Sequence, residues 1–165
     1  MAFRVLDATS FYAGVPFLSQ EVCYTTPMVF EEIRHIKKNQ GALSALIDTG
    51  RLKVVEPEEK FTRMAVSQAQ QTGDYQALTA EDVSVIALCM QIGGEIVTDD
   101  FAVSNVAKHL GLTVFPVMTG GAEKREWVYY CAGCGKTSPK ESTCPVCGSA
   151  LRRKARNSSD LSKGR

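Results

Sequence analysis

Residues 78–112 read LTAEDVSVIALCMQIGGEIVTDDFAVSNVAKHLGL, and the fold turns on how this stretch is parsed. Thr79 is a good N-cap, and Asp82 stands three residues on, where a carboxylate favours the positive end of a helix. Val83, Ile86, Ala87 and Met90 then recur at helical spacing, and Gly93-Gly94 is a stop. Residues 95–98 make a brief strand that hands over directly to Asp99 and Asp100. Phe101, Val103, Val106, Ala107 and Leu110 return to the helical period, which ends at Gly111. The reading is therefore capped helix, short strand, acidic elbow, second helix. In a parallel α/β sheet the elbow is where chemistry is presented.

The same alternation runs upstream. Residues 3–6 form a buried-type strand ending at Asp7, followed by Thr9, Ser10 and a short helical or turn segment through Tyr12 and Gly14. Residues 22–25 make a second extended piece, and Thr26 caps a helix that takes Pro27 in its first position. That helix, over 28–39, turns Val29, Ile33 and Ile36 inward and carries Glu32 on the flank of its core face. A helix over 41–49, a strand over 52–55 and a helix over 58–72 with Phe61, Met64, Ala65 and Ala69 inward follow, and residues 113–117 give a last strand. No tight hairpin signal interrupts the series. The predicted fold class is α/β, a parallel sheet flanked by helices over residues 1–118, with a small cysteine-bearing module at the C-terminal side.

A chain of 165 residues with 44% apolar content buries one ordinary core and leaves room for such a module. It has no run of about 18 apolar residues and no signal-peptide pattern, so a soluble cytoplasmic protein without a membrane partner is expected. The formal charge of +1 hides an asymmetry. Residues 1–126 carry 11 Lys+Arg against 16 Asp+Glu, a net of −5, and residues 127–165 carry 8 against 2, a net of +6. An acidic body with a basic arm points to a polyanionic partner held by the arm. Residues 119–126 read as a linker and 152–165, RRKARNSSDLSKGR, as a basic tail without structure of its own.

Between linker and tail, over 127–151, Cys131-x2-Cys134-x9-Cys144-x2-Cys147 supplies four thiolates from two short turns. Zn²⁺ takes four soft ligands in a tetrahedron, and a complete protein set leaves no open position, so the ion is structural. Two disulfides or four unrelated thiols fit the spacing and the expected compartment less well. Cys23 and Cys89 lie alone among apolar residues and read as core filler.

Asp7, Glu32, Asp82 and Asp99/Asp100 each have an ordinary reading as a helix cap or solvated residue. Together they can be placed at one edge of one sheet. Clustered carboxylates raise one another's pKa unless a cation neutralises them, and hard oxygen ligands suit Mg²⁺ or Mn²⁺ with a phosphate substrate. The chain has no GxxxxGK[ST] loop, which turns the reading from nucleoside triphosphates toward phosphodiester hydrolysis. Ser10 and Thr98 neighbour the acidic elbows and serve either a metal-bound water or the turn and strand themselves. Trp127, Tyr129 and Tyr130 either stack bases or pack the cysteine module. His35 and His109 lack ligand spacing and read as surface or cap residues.

Four pieces, VLDATSF at Asp7, PMVFEEI at Glu32, LTAEDVSVIALC at Asp82 and IVTDDFAVSNVA at Asp99/Asp100, resemble the PIN-domain nucleases in their order. Joined to a CxxC…CxxCG ribbon, they resemble the archaeal NOB-type endonucleases of small-subunit rRNA 3′-end maturation. The resemblance implies a metal-dependent endoribonuclease with catalytic Asp7, Glu32, Asp82 and one of Asp99 and Asp100, the other being free to cap the helix. It implies Mg²⁺ or Mn²⁺ on Asp7, Asp82 and Asp100, and a structural Zn²⁺ in the ribbon. It further implies that the ribbon and the arm residues Arg152, Arg153, Lys154 and Arg156 hold precursor small-subunit rRNA within a pre-ribosomal particle, near ribosome-assembly factors, with no DNA partner. A PIN-type toxin ribonuclease is the alternative that the bare domain allows, and the ribbon argues against it. A non-catalytic zinc-ribbon assembly factor is another, and the complete acidic set argues against that.

Overall fold

The computed structural model describes residues 3–35, 40–117, 127–138 and 143–155. The expected linker over 119–126, Ile36 and the arm from Arg156 onward lie outside the described residues.

Five short strands, β1 (Arg4–Leu6), β2 (Cys23–Thr25), β3 (Leu52–Val54), β4 (Glu95–Val97) and β5 (Thr113–Phe115), form a parallel sheet in the order β3-β2-β1-β4-β5. Between them run α1 (Ala8–Tyr12), α2 (Val15–Leu18), α3 (Pro27–Arg34), α4 (Gln40–Asp48), α5 (Glu59–Thr72), a 3₁₀ turn (Tyr75–Ala77), α6 (Ala80–Ile92) and α7 (Phe101–His109). The chain leaves β1 toward β2 and β3, then returns to place β4 on the opposite side of β1. That reversal puts the topological switch point between β1 and β4, where an open parallel sheet leaves a crevice at its carboxyl edge.

The core is built on Val5, Leu6, Ile96 and Val97 from the two central strands, with helix residues above and below. Helix α6 buries seven consecutive residues, Val83 to Cys89, instead of the single face its periodicity predicted. Its neighbours explain this: α5, α3 and α7 pack around it while β1 and β4 lie against it. On α5 the buried stripe is Ala65, Ala69 and Thr72. Met64 was expected inward with them, but it stands one residue, about 100° of helical rotation, off that stripe and is half exposed.

A second, antiparallel sheet of order β7-β6-β8 comprises β6 (Trp127–Tyr130), β7 (Thr137–Ser138) and β8 (Arg152–Ala155). Here the expected boundary at 151 is corrected. The first four residues of the predicted tail form a strand, with Val128 opposite Lys154 and Tyr130 opposite Arg152. The pairing uses main-chain groups on the edge of β6, which are indifferent to the charge of the side chains beside them. Arg153 also reaches the body, donating through its guanidinium to the Gly73 carbonyl at the end of α5 at 2.6 Å. Cations favour that end of a helix. Among the described residues no helix is long and apolar enough to cross a membrane.

Candidate functional site

Three aspartates reach the carboxyl edge of the sheet, and each does so at the start of a helix. Asp7 follows β1 directly and is the N-cap of α1, its Oδ1 accepting from the Ser10 amide at 2.9 Å and the Thr9 hydroxyl at 2.7 Å. Asp100 follows β4 by three residues and is the N-cap of α7, its Oδ1 accepting from the Val103 amide at 2.9 Å. Asp82 closes a capping box on α6: Thr79 donates its amide to Asp82 Oδ2 at 2.8 Å and accepts the Asp82 amide at its Oγ1 at 3.2 Å. A helix start offers amides with no partner inside the helix, which is why acidic residues stand there and why their backbones are held so firmly.

Two threonine bridges set these pieces relative to one another. The register Leu6 opposite Val97 carries Asp7 to the level of Thr98 on the neighbouring strand. The Thr98 hydroxyl donates to Asp7 Oδ2 and accepts the Asp100 amide at 2.9 Å, so one buried side chain joins both elbows. Ser10 donates to the Val97 carbonyl at 2.6 Å and thereby ties α1 to the end of β4. On the other flank Thr26, the N-cap of α3, accepts from the Val29 amide and pairs with the Ser84 hydroxyl at 2.7 Å, while Ser84 donates to the Glu81 carbonyl. The starts of α3 and α6 are thus locked together, and with them Glu32 and Asp82.

The carboxylates feel one another. Burial pushes Asp82 upward against the opposing Thr79 hydrogen bonds, and the charges of Asp100 and Asp7 push it further. Glu32 is likewise raised, first by partial desolvation and then by Glu81, Asp82 and Asp7. Each cap uses one oxygen, which leaves Asp82 Oδ1, Asp100 Oδ2 and both oxygens of Glu32 without a hydrogen bond among the described residues. Free carboxylate oxygens under mutual repulsion are a donor set for a hard divalent cation. Asp99 does not join them: its exposed side chain accepts the Val117 amide at 2.8 Å, beyond the end of β5. The structure therefore brings Asp7, Glu32, Asp82 and Asp100 together and sends Asp99 elsewhere. Capping the helix and facing the cluster, which the sequence presented as alternatives for the tandem pair, are both met by Asp100.

In the ribbon, Cys131, Cys134, Cys144 and Cys147 have sulfurs all within 4.8 Å of one another, and they are the only such metal-ligand group among the described residues. The four carboxylates do not form so compact a group. The two closest sulfur pairs stand at 3.3 and 3.5 Å, far from the ~2.05 Å of a disulfide and close to the ~3.8 Å edge of a tetrahedron with 2.3 Å bonds. Both knuckles have the same main-chain form. Cys131 accepts from Gly135 and donates to Lys136, and Cys144 accepts from Gly148 and donates to Ser149, all at 2.8–2.9 Å. Gly135 and Gly148 adopt φ of 72° and 70°, a turn that a side chain would strain. Amides of Cys147 and Val146 directed at the Cys144 sulfur lower its pKa to about 6, favouring the thiolate a metal needs. The quartet is fit to hold a metal ion.

Of the other candidates, Arg152 and Arg153 stand on β8, Lys154 is placed there by its backbone, and Arg156 lies outside the described residues. Tyr129 and Tyr130 are half-buried on β6. His35 ends α3 and His109 turns its Nδ1 to the Asn105 carbonyl at 2.9 Å, both cap-like as expected. The pairing of Thr26 with Ser84 was not anticipated, because nothing in a linear sequence relates residues 58 positions apart. Equally unforeseen is buried Asp74, which accepts from the buried Asn105 amide at 2.6 Å and anchors the 3₁₀ turn to α7.

Comparison with known proteins identifies the family. A family profile described as the PIN domain of ribonuclease matches residues 5–92. The endoribonuclease Nob1 of Pyrococcus abyssi is 35% identical over 151 residues, 90% of this chain and 91% of its own. The endoribonuclease Nob1 of Methanocaldococcus jannaschii is 33% identical over 93% of this chain and 78% of its own. The 20S-pre-rRNA D-site endonuclease NOB1 of Saccharomyces cerevisiae is 36% identical over 42% of this chain, which is 15% of the yeast protein. With a PIN match over more than half its length and relatives that align along nearly all of it, the chain belongs to the Nob1 family of PIN-domain endoribonucleases.

Proposed function

We propose that this endoribonuclease cuts precursor small-subunit rRNA at its 3′ end, in the cytoplasm and on a pre-ribosomal particle, with Asp7, Glu32, Asp82 and Asp100 as its catalytic carboxylates. The observation that carries the reading is the meeting of three helix starts at the switch point, with unpartnered oxygens on Glu32, Asp82 and Asp100. The name of the yeast relative supports the substrate. Carboxylate oxygens of this kind would hold a divalent cation, Mg²⁺ or Mn²⁺, which when bound would supply Lewis acidity toward water and the scissile phosphate. Asp7 is held by Thr9, Ser10 and Thr98, with acceptor capacity left on Oδ2, and would join Asp82 and Asp100 in holding the cation. The uncapped oxygens of Asp82 and Asp100 would be ligands for that cation. Glu32, raised by its surroundings, takes the proton of the attacking water at its Oε as the water oxygen bonds to phosphorus and the bridging P–O bond breaks, and the leaving alkoxide takes a proton from solvent water, so that water adds across the cleaved bond. Asp99 has no catalytic part.

In the ribbon the four thiolates hold Zn²⁺ as a structural ion. Arg152, Arg153, Lys154 and Arg156 would contribute positive charge to the binding of RNA phosphates. The test is cleavage of a short RNA spanning the mature 3′ end of small-subunit rRNA, with Mn²⁺ or Mg²⁺ and with EDTA. Metal-dependent cutting at that end is expected from the wild type, and its loss in Asp82→Asn, with RNA affinity and fold retained. Cleavage retained by Asp82→Asn would overturn the assignment of the site, and a wild type that binds the RNA and never cuts it would turn the reading to an assembly factor.

A further inference from the structure

Beside the carboxylates lies a cleft of about 480 Å³ that the catalytic set does not use. Its walls come from the start of α3 (Met28), the start of α6 (Thr79, Val83, Ser84), the 3₁₀ turn (Tyr75) and the loop after β3 (Glu56). Its volume falls in the ~300–1,000 Å³ range of small-molecule sites. Met28 and Tyr75 are 40% and 46% exposed, so two large apolar side chains face solvent at one opening.

The cleft adjoins the site through two of its wall residues. Thr79 is hydrogen-bonded in both directions to Asp82, and Ser84 is bonded to the cap of the helix that carries Glu32. A group next to a phosphate held on the carboxylates has this cleft beside Asp82 as a neighbouring surface. The lining also states what that group is. No Lys, Arg or His is among the lining residues, and the one charged group is a carboxylate, so a phosphate is repelled. A flat apolar group that stacks on Tyr75 and donates a hydrogen bond to Glu56 is accepted. Glu56 makes no ion pair or side-chain hydrogen bond with the described residues.

We propose that this cleft is a nucleobase subsite: it takes the base next to the scissile phosphate, stacked on Tyr75, and favours a base with an exocyclic amino group that donates to Glu56. Carboxylates accept from the exocyclic amino group of cytosine in this way, whereas uracil has no exocyclic amino group and offers only its ring N3–H. Stacking on an aromatic ring is tolerant of base identity, so Tyr75 supplies affinity and Glu56 the choice.

The inference rests on the nuclease reading, and the test separates the two. Wild type, Tyr75→Ala and Glu56→Gln, all as full chains with Mn²⁺, are given the rRNA 3′-end oligonucleotide and a set carrying one abasic nucleotide at each position around the cut. Cutting of the intact RNA by the wild type tests the nuclease reading alone. For the subsite, one flanking abasic position is expected to raise wild-type KM about five- to a hundredfold. Tyr75→Ala is expected to raise KM for intact RNA by a similar factor, with no further rise when both changes are combined. Glu56→Gln is expected to narrow the preference for an amino-bearing base over uracil at that position. Tyr75 is half exposed, so an unchanged melting temperature checks that its variant is folded. An abasic penalty as large in Tyr75→Ala as in wild type at every position, or a base preference untouched by Glu56→Gln, overturns the proposal.

Discussion

Asp99 and Asp100 are adjacent and chemically identical, yet their surroundings divide them. Asp99 spends its carboxylate on the Val117 amide, and Asp100 spends only one oxygen on Val103 and exerts its charge on Asp82. Asp99→Asn is therefore expected to leave cleavage within about twofold of wild type, and Asp100→Asn to lower it by at least about a hundredfold, as removal of a group that stabilises transition-state charge does. Single-turnover rates on one RNA decide it, and equal losses would refute the division. Glu32 yields a prediction about pH. Its folded-state pKa is raised, so the native state holds the proton more tightly than the unfolded chain. Its contribution to stability is whole below the ordinary carboxylate pKa of about 4 and is lost as pH rises through the higher folded value. In EDTA, the melting temperature of Glu32→Gln minus that of wild type is expected to grow as pH increases from about 4 toward neutrality. Saturating Mg²⁺ or Mn²⁺ is expected to shrink that difference, because a bound cation offsets the carboxylate charges that help to raise Glu32. Melting curves at several pH values with and without the ion check both.

At the scale of elements, the site is made of helix beginnings, and capping and catalysis draw on the same side chains. Asp7, Asp82 and Asp100 each satisfy amides at a helix start, which fixes the carboxyl group far more tightly than a loop would. The weak point is the joint between α3 and α6. Thr26→Val removes the N-cap of α3 and takes away one of the two hydrogen-bond partners of the buried Ser84 hydroxyl. The expected cost is about 1–2 kcal/mol in stability. Because α3 carries Glu32, a larger proportional fall in kcat than in RNA affinity is expected. Denaturant unfolding and cleavage kinetics test this, and Thr26→Ser, which keeps the hydroxyl, is expected to restore both. Loss of affinity with kcat intact would show that the joint serves binding instead.

For the whole molecule, the basic arm and the ribbon are one object over 152–155. Cutting the chain after Ala155 removes Arg156, Lys163 and Arg165 but leaves β8 paired, whereas cutting after Leu151 removes the edge strand and the Arg153 bond to Gly73 as well. The first truncation is expected to lower the salt slope of RNA binding by about 0.7 per lost phosphate contact while the ribbon stays folded. The second is expected to abolish its metal-linked folding, as Cys131→Ser and strong chelation also are. Affinity against salt concentration and metal content by mass spectrometry distinguish them. An unchanged metal content after the longer cut would mean that β8 is dispensable.

Much of this was legible in the chain because it is local. Caps, glycine stops and helical periods mark the elements within a few residues, the CxxC pairs define the quartet, and the order of acidic elbows follows from where strands end. The amino-acid sequence by itself therefore determined an α/β body, a four-thiol ribbon and the carboxylates at stake. Packing and register decided the rest. That α6 is buried all round, that Thr98 stands beside Asp7, that Thr26 meets Ser84 and that Arg152–Ala155 pairs with β6 all depend on which distant segments become neighbours. The different surroundings of Asp99 and Asp100 are of that kind: the end of β5 brings the Val117 amide to one of them, and the other lies within the field of Asp82.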